Sequence, residues 1–276
     1  MAFEYSNLNE RPVGRFVTLA GRLVPGIARV QAQATPYAEA WRRANERALA
    51  AGPGPLWVAL GDSLSQGIGA SRYDRGWVGQ LAGQLAAAGR PMRLVNLAVY
   101  GARVSDVLDR QLPALRSLGV EPDLVTVLIG SNDLLRAATR RELPAGYELL
   151  LQRLSAGAVV GTMPNPRAAA RAVNRSIERA VARRGLLMAD LRQPRTRSWR
   201  GKLAADFFHP NDRGYSDLAW VFARALGLPD EPAQPDEQAL PDEPALPGSG
   251  QNSSPRTGCP AGASGSTNHS VPKASR

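Results

Sequence analysis

The chain contains very little cysteine, histidine or lysine. Its 276 residues include one Cys and two His, and only Lys202 and Lys273 are lysines. A disulfide cannot form within a chain that has one cysteine, and a Cys/His zinc site cannot be built from so few ligands. Any catalysis that depends on histidine must use His209 or His269.

The positive charge of the chain does not by itself predict a nucleic-acid partner. There are 34 Lys+Arg against 24 Asp+Glu, for a formal net charge of +10. Nucleic-acid-binding segments are dense in basic residues and interleave them with aromatic ones. No such run occurs, and the arginines are scattered along the predicted helices. We therefore expect no nucleic-acid partner.

Long hydrophobic runs are also missing. No segment approaches the roughly 20 apolar residues of a membrane span, so we expect none. The most apolar N-terminal stretch, Phe16–Ile27, contains Arg22 and is broken by Pro25. A secretory signal needs about 7–15 uninterrupted apolar residues. We therefore expect a cytoplasmic protein.

Composition divides the chain into three parts. Residues 1–54 are predicted to be an N-terminal helical extension, with a helix over Pro36–Ala51. Residues 55–227 are the predicted main domain. Residues 228–276 contain nine prolines and no aromatic residue, with Asp and Glu first and Ser and Gly later. Such a segment cannot bury enough apolar surface to offset the entropy of ordering, which predicts a disordered tail.

Five apolar runs alternate with helical segments in the predicted main domain. The runs are Leu56–Gly61, Met92–Ala98, Leu124–Gly130, Ala156–Met163 and Leu186–Asp190. The helical segments are Arg75–Gly89, Val104–Leu115, Leu143–Leu154, Pro166–Gly185 and Arg213–Gly227. This alternation is typical of a parallel sheet that is covered on both faces. In that architecture functional residues lie at the carboxyl ends of the strands.

A serine follows the first predicted strand, in the sequence Gly-Asp-Ser-Leu-Ser that begins at Gly61. A nucleophile is expected on such a strand-to-helix turn, although Gly-Asp-Ser is also ordinary turn chemistry. The sequence is neither the Gly-x-Ser-x-Gly elbow nor a phosphate-binding loop. Ser63 is therefore the candidate nucleophile, and Ser65 is the alternative.

Asp206 and His209 precede the last predicted helix. A serine hydroxyl is a poor nucleophile until a base takes its proton, and imidazole suits that task. A carboxylate must hold the other ring nitrogen, and a spacing of three residues on a turn permits this. The alternative is a turn and helix cap. Since His269 lies in the predicted tail, His209 is the only candidate base, and Asp190 is the alternative carboxylate.

Gly101 and Asn132 follow the second and third predicted strands. Acyl transfer builds negative charge on a carbonyl oxygen, and rigid N–H donors aimed at that oxygen stabilise it. A glycine presents a bare backbone N–H, and an asparagine side chain offers a second donor. The simpler interpretations are a turn at Gly101 and a helix N-cap within Gly130–Asp133.

In this order the four motifs resemble those of the SGNH, or GDSL, family of serine esterases and lipases. Gly61–Leu64 looks like the nucleophile motif of that family, and Gly101 matches its second-block glycine. Gly130–Asp133 matches its Gly-x-Asn-Asp block, and Asp206 with His209 matches its closing Asp-x-x-His.

The resemblance spans residues 56–226 and implies a three-layer α/β/α, flavodoxin-like fold with a parallel five-stranded sheet. It implies no metal and no organic cofactor. It also implies that Ser63 is the nucleophile, His209 the general base and Asp206 its orienting carboxylate. The implied oxyanion hole consists of the Ser63 and Gly101 N–H groups and the Asn132 side-chain amide.

We therefore expect a serine hydrolase that cleaves the acyl esters of small molecules through an acyl-enzyme. An acyltransferase or deacetylase acting on a sugar or another alcohol would use the same triad. The alternatives from other classes are a non-catalytic binding protein with this fold and a nucleic-acid-binding protein.

Overall fold

The computed structural model of the chain describes residues 3–9 and 24–229. All but the first two residues of the predicted tail, and most of the apolar stretch Phe16–Ile27, lie outside these ranges. The disordered tail and the three-part domain division therefore stay predictions. Within the described residues, no helix has the length and apolar character needed to cross a membrane.

A five-stranded sheet lies at the centre of the described structure. Its strands run in the order β2-β1-β3-β4-β5, and every adjacent pair is parallel. This is the flavodoxin-like order, so the fold class predicted from the sequence is confirmed. The strands are β1 (Leu56–Gly61), β2 (Arg93–Asn96), β3 (Leu124–Leu128), β4 (Val159–Gly161) and β5 (Leu187–Ala189).

Helices cover both faces of the sheet. They are α1 (Pro25–Gln31), α2 (Ala34–Ala50), α3 (Ser63–Gln66), α4 (Trp77–Ala87), α6 (Ala137–Arg153), α7 (Ala168–Arg184), α8 (Pro194–Arg197) and α9 (Asp212–Ala225). The helix α5 is composite, with a π-helical turn (Val107–Gln111) between the α-helical pieces Val104–Asp106 and Leu112–Ser117. Short 3₁₀ turns lie at Tyr73–Arg75 and Asp133–Leu135.

The side chains of β1 alternate between two hydrophobic cores. Leu56, Val58 and Leu60 point into the core shared with α5, α6 and α7. Trp57 and Ala59 point into the opposite core, which contains residues of α2, α4 and α9. All five are at most 1% exposed. Because both faces of the strand are buried, its sequence is continuously apolar rather than alternating.

Helix α6 begins at Ala137 rather than at the predicted Leu143, and Pro144 lies inside it. Proline lacks an N–H and disturbs a helix interior. Burial of Leu143, Tyr147 and Leu150 against the sheet offsets that cost, since these side chains are at most 1% exposed. This tertiary contribution has no signature in the local sequence.

The strand order places the ends of β1, β2 and β3 side by side. β1 pairs with β2 on one side and with β3 on the other, and Gly61 at its end is in register with Leu128. The connection from β1 leads to β2 on one side and the connection from β3 leads to β4 on the other, which creates a crevice at the carboxyl edge of the sheet. The predicted site residues that follow these strands meet there.

Candidate active site

Ser63 is the first residue of α3, immediately after β1. The preceding Asp62 caps this helix, because its Oδ1 atom accepts a hydrogen bond of 3.0 Å from the backbone N–H of Leu64. A side chain at Gly61 would place its Cβ only 2.5 Å from the carbonyl oxygen of Leu128. Glycine therefore permits the sharp turn that presents Ser63.

The structure joins Ser63, His209 and Asp206 by hydrogen bonds. The Oγ atom of Ser63 lies 3.0 Å from Nε2 of His209, and Nδ1 of His209 lies 2.6 Å from Oδ2 of Asp206. With Nδ1–H donating to the carboxylate, Nε2 is left to accept the hydroxyl proton. The Ser63 and His209 residues are each 5% exposed. This arrangement suits nucleophilic catalysis.

Asp206 is fixed by its own turn. Its Oδ1 atom accepts hydrogen bonds of 3.0 Å from the backbone N–H groups of both Phe208 and His209. Burial alone raises the pKa of Asp206, but the bonds from the His209 ring and from these N–H groups outweigh it and lower the pKa below 3.8. The carboxylate thus stays ionised. The helix cap is a separate residue, Asn211, which precedes α9.

Two aromatic rings flank the imidazole of His209. The Phe208 ring contacts it edge-on at 5.0 Å between centroids, and the Tyr100 ring lies 6.2 Å away.

Phe207 is 79% exposed and has a positive φ of 55°. A bulky residue in this left-handed conformation is strained.

The predicted oxyanion-hole residues lie on the three adjacent strand-end loops. No described residue accepts a hydrogen bond from the N–H groups of Ser63 or Gly101, and Gly101 has a φ of 71°. The Asn132 Nδ2 atom donates to the Ala102 carbonyl at 2.9 Å and lies 3.4 Å from Oδ2 of Asp62. The Asn132 amide thus contacts the chain neighbours of both Ser63 and Gly101.

Two buried carboxyl groups neighbour the candidate site residues in the chain, Asp62 before Ser63 and Asp133 after Asn132. Burial raises the pKa of Asp62 to about 7 and that of Asp133 to about 6. The Asp133 Oδ2 atom accepts a bond of 3.2 Å from the Val104 N–H, which connects the loop after β3 to the start of α5. Asp62 braces the turn through its bond to the Leu64 N–H. Its raised pKa makes its protonation state sensitive to pH near neutrality.

The competing candidates are placed elsewhere. The hydroxyl of Ser65 has no hydrogen-bond partner among the described residues, whereas the His209 ring bonds to Ser63. Asp190 accepts bonds from Arg192 at 2.6 Å and from Thr162 at 3.0 Å. His269 lies outside the described residues.

Two residues that support the site, Gln111 and Gly69, were not predicted from the sequence. Gln111, in the π-helical turn of α5, bonds both the N–H and the carbonyl of Gly61 at 2.8 Å. A Cβ on Gly69 would lie 2.8 Å from Cβ of His209, so the chain approaches closely there. The closely spaced Gly67 and Gly69 could have signalled this approach. Nothing local signals Gln111, because its role depends on the fold.

Within residues 3–9 and 24–229, no group of three or more His, Cys, Asp or Glu side chains is positioned to hold a metal ion.

Comparison with known proteins gives a family match over the central part of the chain. Residues 59–216 match the GDSL-like Lipase/Acylhydrolase family. A lipase from Streptomyces rimosus is 39% identical over 83 residues, which cover 28% of this chain and 30% of that lipase. The alignment therefore spans less than a third of this relative.

Solved structures resemble the chain over about two thirds of its length. An alpha/beta hydrolase enzyme from the metagenome of Lake Arreo, Spain, is 26% identical with a TM-score of 0.50, covering 64% of this chain and 96% of that one. A variant of an acetyl xylan esterase from Geobacillus stearothermophilus is 22% identical with a TM-score of 0.52, covering 66% and 99%. The second likeness is one of fold.

Proposed function

The chain belongs to the GDSL-like lipase/acylhydrolase family, and on this premise we propose that it is a serine hydrolase that cleaves the carboxylic esters of small molecules. The observation that carries the proposal is the hydrogen-bonded series from Ser63 through His209 to Asp206, with distances of 3.0 and 2.6 Å. Such a series is what an acyl-enzyme mechanism needs.

In the first half of the proposed reaction, Oγ of Ser63 attacks the carbonyl carbon of the ester while its proton passes to Nε2 of His209. The carbonyl π electrons move onto the oxygen, which becomes an anion. Asp206 stabilises the imidazolium that forms. When the tetrahedral intermediate collapses, the bond to the alcohol oxygen breaks and Nε2–H protonates that oxygen. The acyl group remains on Ser63.

The second half repeats the chemistry with water. His209 takes a proton from a water molecule as its oxygen attacks the acyl-enzyme. The bond from the acyl carbon to Oγ of Ser63 then breaks, and Nε2–H returns the proton to Oγ. The products are a carboxylic acid and the free enzyme.

The proposed oxyanion hole comprises the N–H groups of Ser63 and Gly101 and the amide of Asn132. The two N–H groups have no partner among the described residues, so they are available to a substrate oxygen. Asn132 would keep its 2.9 Å bond to Ala102 and exchange its longer contact with Asp62 for the oxyanion. Donors of this kind act on charge that develops in the transition state.

A series of p-nitrophenyl esters of increasing acyl length tests the proposal. We expect the wild-type protein to release p-nitrophenol and Ser63→Ala to release none above background. Ser65→Ala is the matched control, because Ser65 lies on the same helix while the His209 ring bonds to Ser63. Full activity in Ser63→Ala, or no turnover of any ester by the wild type, would refute the proposal.

Product analysis separates hydrolysis from acyl transfer to a sugar or another alcohol. With an ester donor and a large excess of an alcohol acceptor, hydrolysis yields the free acid, whereas transfer yields a new ester. We propose that the free acid dominates.

The cytoplasmic location and the lack of a nucleic-acid partner stay predictions, which cell fractionation and a DNA mobility shift would test.

A further inference from the structure

Residues Phe3–Asn9, here called the N-terminal strap, lie along the chain that continues from β2 to Gly101. The side chains of three alternate strap residues donate hydrogen bonds to backbone carbonyls of that chain. Tyr5 donates to Leu97 at 2.6 Å, Asn7 to Asn96 and Ala98 at 2.9 Å each, and Asn9 to Tyr100 at 2.8 Å.

The strap covers an open sheet edge. β2 is an edge strand, and its outward backbone groups would otherwise lack partners. The side chain of Asn45, on α2, bonds both the N–H and the carbonyl of Asn96. Asn7 adds the bonds to the Asn96 and Ala98 carbonyls, and it is 1% exposed. The side chains of Asn7 and Asn45 thus provide the hydrogen bonds that a neighbouring strand would otherwise form at this position.

The strap also contacts the helix that carries Ser63. The backbone carbonyl of Asn7 accepts a bond of 2.8 Å from Nε2 of Gln66, the last residue of α3. Ser63 is the first residue of the same short helix. Asn7 therefore joins the nucleophile helix to the chain that leads to Gly101.

Asn9 lies directly against Gly101. A Cβ built on Gly101 would be 3.2 Å from Nδ2 of Asn9, and the same Nδ2 atom donates to the carbonyl of the preceding Tyr100. That carbonyl belongs to the peptide group whose N–H is the Gly101 donor. Because a peptide group is planar, holding its oxygen also fixes the direction of its N–H.

We propose that the N-terminal strap is a positioning element of the oxyanion hole, in which Asn7 holds the Gly101 loop against the nucleophile helix and Asn9 orients the Gly101 N–H. The role in catalysis rests on the proposed esterase function. In this proposal Asn7 and Asn9 act through the Gly101 loop and the nucleophile helix. Asn7 and Asn9 are thus positioning residues rather than catalytic ones.

Asn7→Ala and Asn9→Ala test the proposal, with Leu8→Ala as the matched control. Leu8 lies between them in the strap and is 38% exposed. Since a misplacement of about 1 Å can cost roughly 100-fold in rate, we expect kcat to fall by roughly 10- to 100-fold in each asparagine variant. We expect KM to change little and Leu8→Ala to behave as wild type.

Two further measurements separate positioning from general damage to the fold. Rates are normalised to the concentration of folded protein, so that unfolding does not count as lost catalysis. Affinity for a trifluoromethyl ketone, which forms an oxyanion on Ser63, should fall by the same factor as kcat/KM.

Amide hydrogen exchange makes the test independent of ester turnover. The N–H groups of Leu97 and Val99 bond to β1 at 2.8 and 3.2 Å, so they are protected while the loop is held in place. We expect faster exchange over residues 97–102 in Asn7→Ala and Asn9→Ala than in Leu8→Ala.

Failure of the strap proposal differs from failure of the proposed function. If no ester is hydrolysed but the loop exchanges faster in the asparagine variants, the enzyme assignment fails and the strap still holds the loop. If the wild type is active and both asparagine variants match Leu8→Ala in kcat, ketone affinity and exchange, the strap proposal is overturned.

Discussion

The Nδ1 atom of His209 lies 2.6 Å from Oδ2 of Asp206, and both residues belong to one turn of chain. The same carboxylate accepts two backbone N–H groups through its other oxygen. The turn therefore fixes the carboxylate, and the carboxylate fixes the ring. The orientation of the His209 ring is thus set within four consecutive residues before α9.

Asp206→Asn tests this relationship. An amide in place of the carboxylate favours the wrong tautomer of the ring, so we expect kcat to fall on the order of 10⁴-fold. Asp190→Asn is the matched control, since Asp190 pairs with Arg192 and should leave kcat within a few-fold of wild type. Ester hydrolysis at saturating substrate measures both. A large loss of kcat in Asp190→Asn with little loss in Asp206→Asn would instead assign the orienting carboxylate to Asp190.

Asn132→Ala tests the third proposed oxyanion donor. Removing one such donor costs roughly 10²- to 10³-fold in kcat. We expect a loss of that size with little change in KM, measured on a neutral p-nitrophenyl ester. Ser131→Ala, one residue earlier, is the control and should retain activity. An unchanged kcat in Asn132→Ala would remove the amide from the oxyanion hole.

Much of the fold was predictable, because the buried strands carry their signal locally. β1 has the predicted bounds, since both of its faces are buried and turn residues end it. β4 is only Val159–Gly161 within the longer predicted run Ala156–Met163. Apolar residues beyond a strand are buried by packing alone, so composition does not mark where the pairing ends.

The candidate site likewise contains residues that the local sequence predicts and residues that only the fold brings together. The spacing of Asp206 and His209 indicates their contact, because three residues on one turn suffice. The strap was not predictable, since Asn7 bonds to carbonyls 89 and 91 residues away in sequence. Neither Asn7 nor Gln111 belongs to a motif, and only the folded chain brings them to the site.

The pH dependence of stability should reveal the buried Asp62. Burial raises its folded-state pKa from 3.8 to about 7. Between those values the folded protein binds more protons at this group than the unfolded chain does, so its contribution to stability falls as pH rises. The lowered pKa of Asp206 acts oppositely: its contribution is present above 3.8 and is lost as pH falls through the folded pKa.

Asp62→Asn removes the first of these effects. We expect the free energy of unfolding to depend less steeply on pH from about 4 to 7 than in the wild type, measured by urea denaturation. Asp109→Asn is the control, because Asp109 is exposed, and it should reproduce the wild-type slope. If the free energy of unfolding depended on pH equally in Asp62→Asn and in the wild type, the raised pKa of Asp62 would be contradicted.

Phe207 combines a φ of 55° with a ring that is 79% exposed. The left-handed conformation costs a bulky residue roughly 1–2 kcal/mol, whereas Asn tolerates it. We expect Phe207→Asn to stabilise the fold by about 1 kcal/mol and to raise Tm by about 2–4 °C. Phe208→Asn should instead lower Tm and kcat, because its ring contacts His209. A lower Tm for Phe207→Asn would mean that its ring supports the fold.

We infer that Ser63 is the nucleophile and His209 its base. Mass spectrometry of the chain after reaction with a fluorophosphonate measures this directly, because the probe forms a covalent bond to an activated serine. We predict one adduct on Ser63 in the wild type and none at that position in His209→Ala over the same time. An active protein whose adduct lies on another residue, such as Ser65, or equal labelling of Ser63 in His209→Ala, would refute these two assignments.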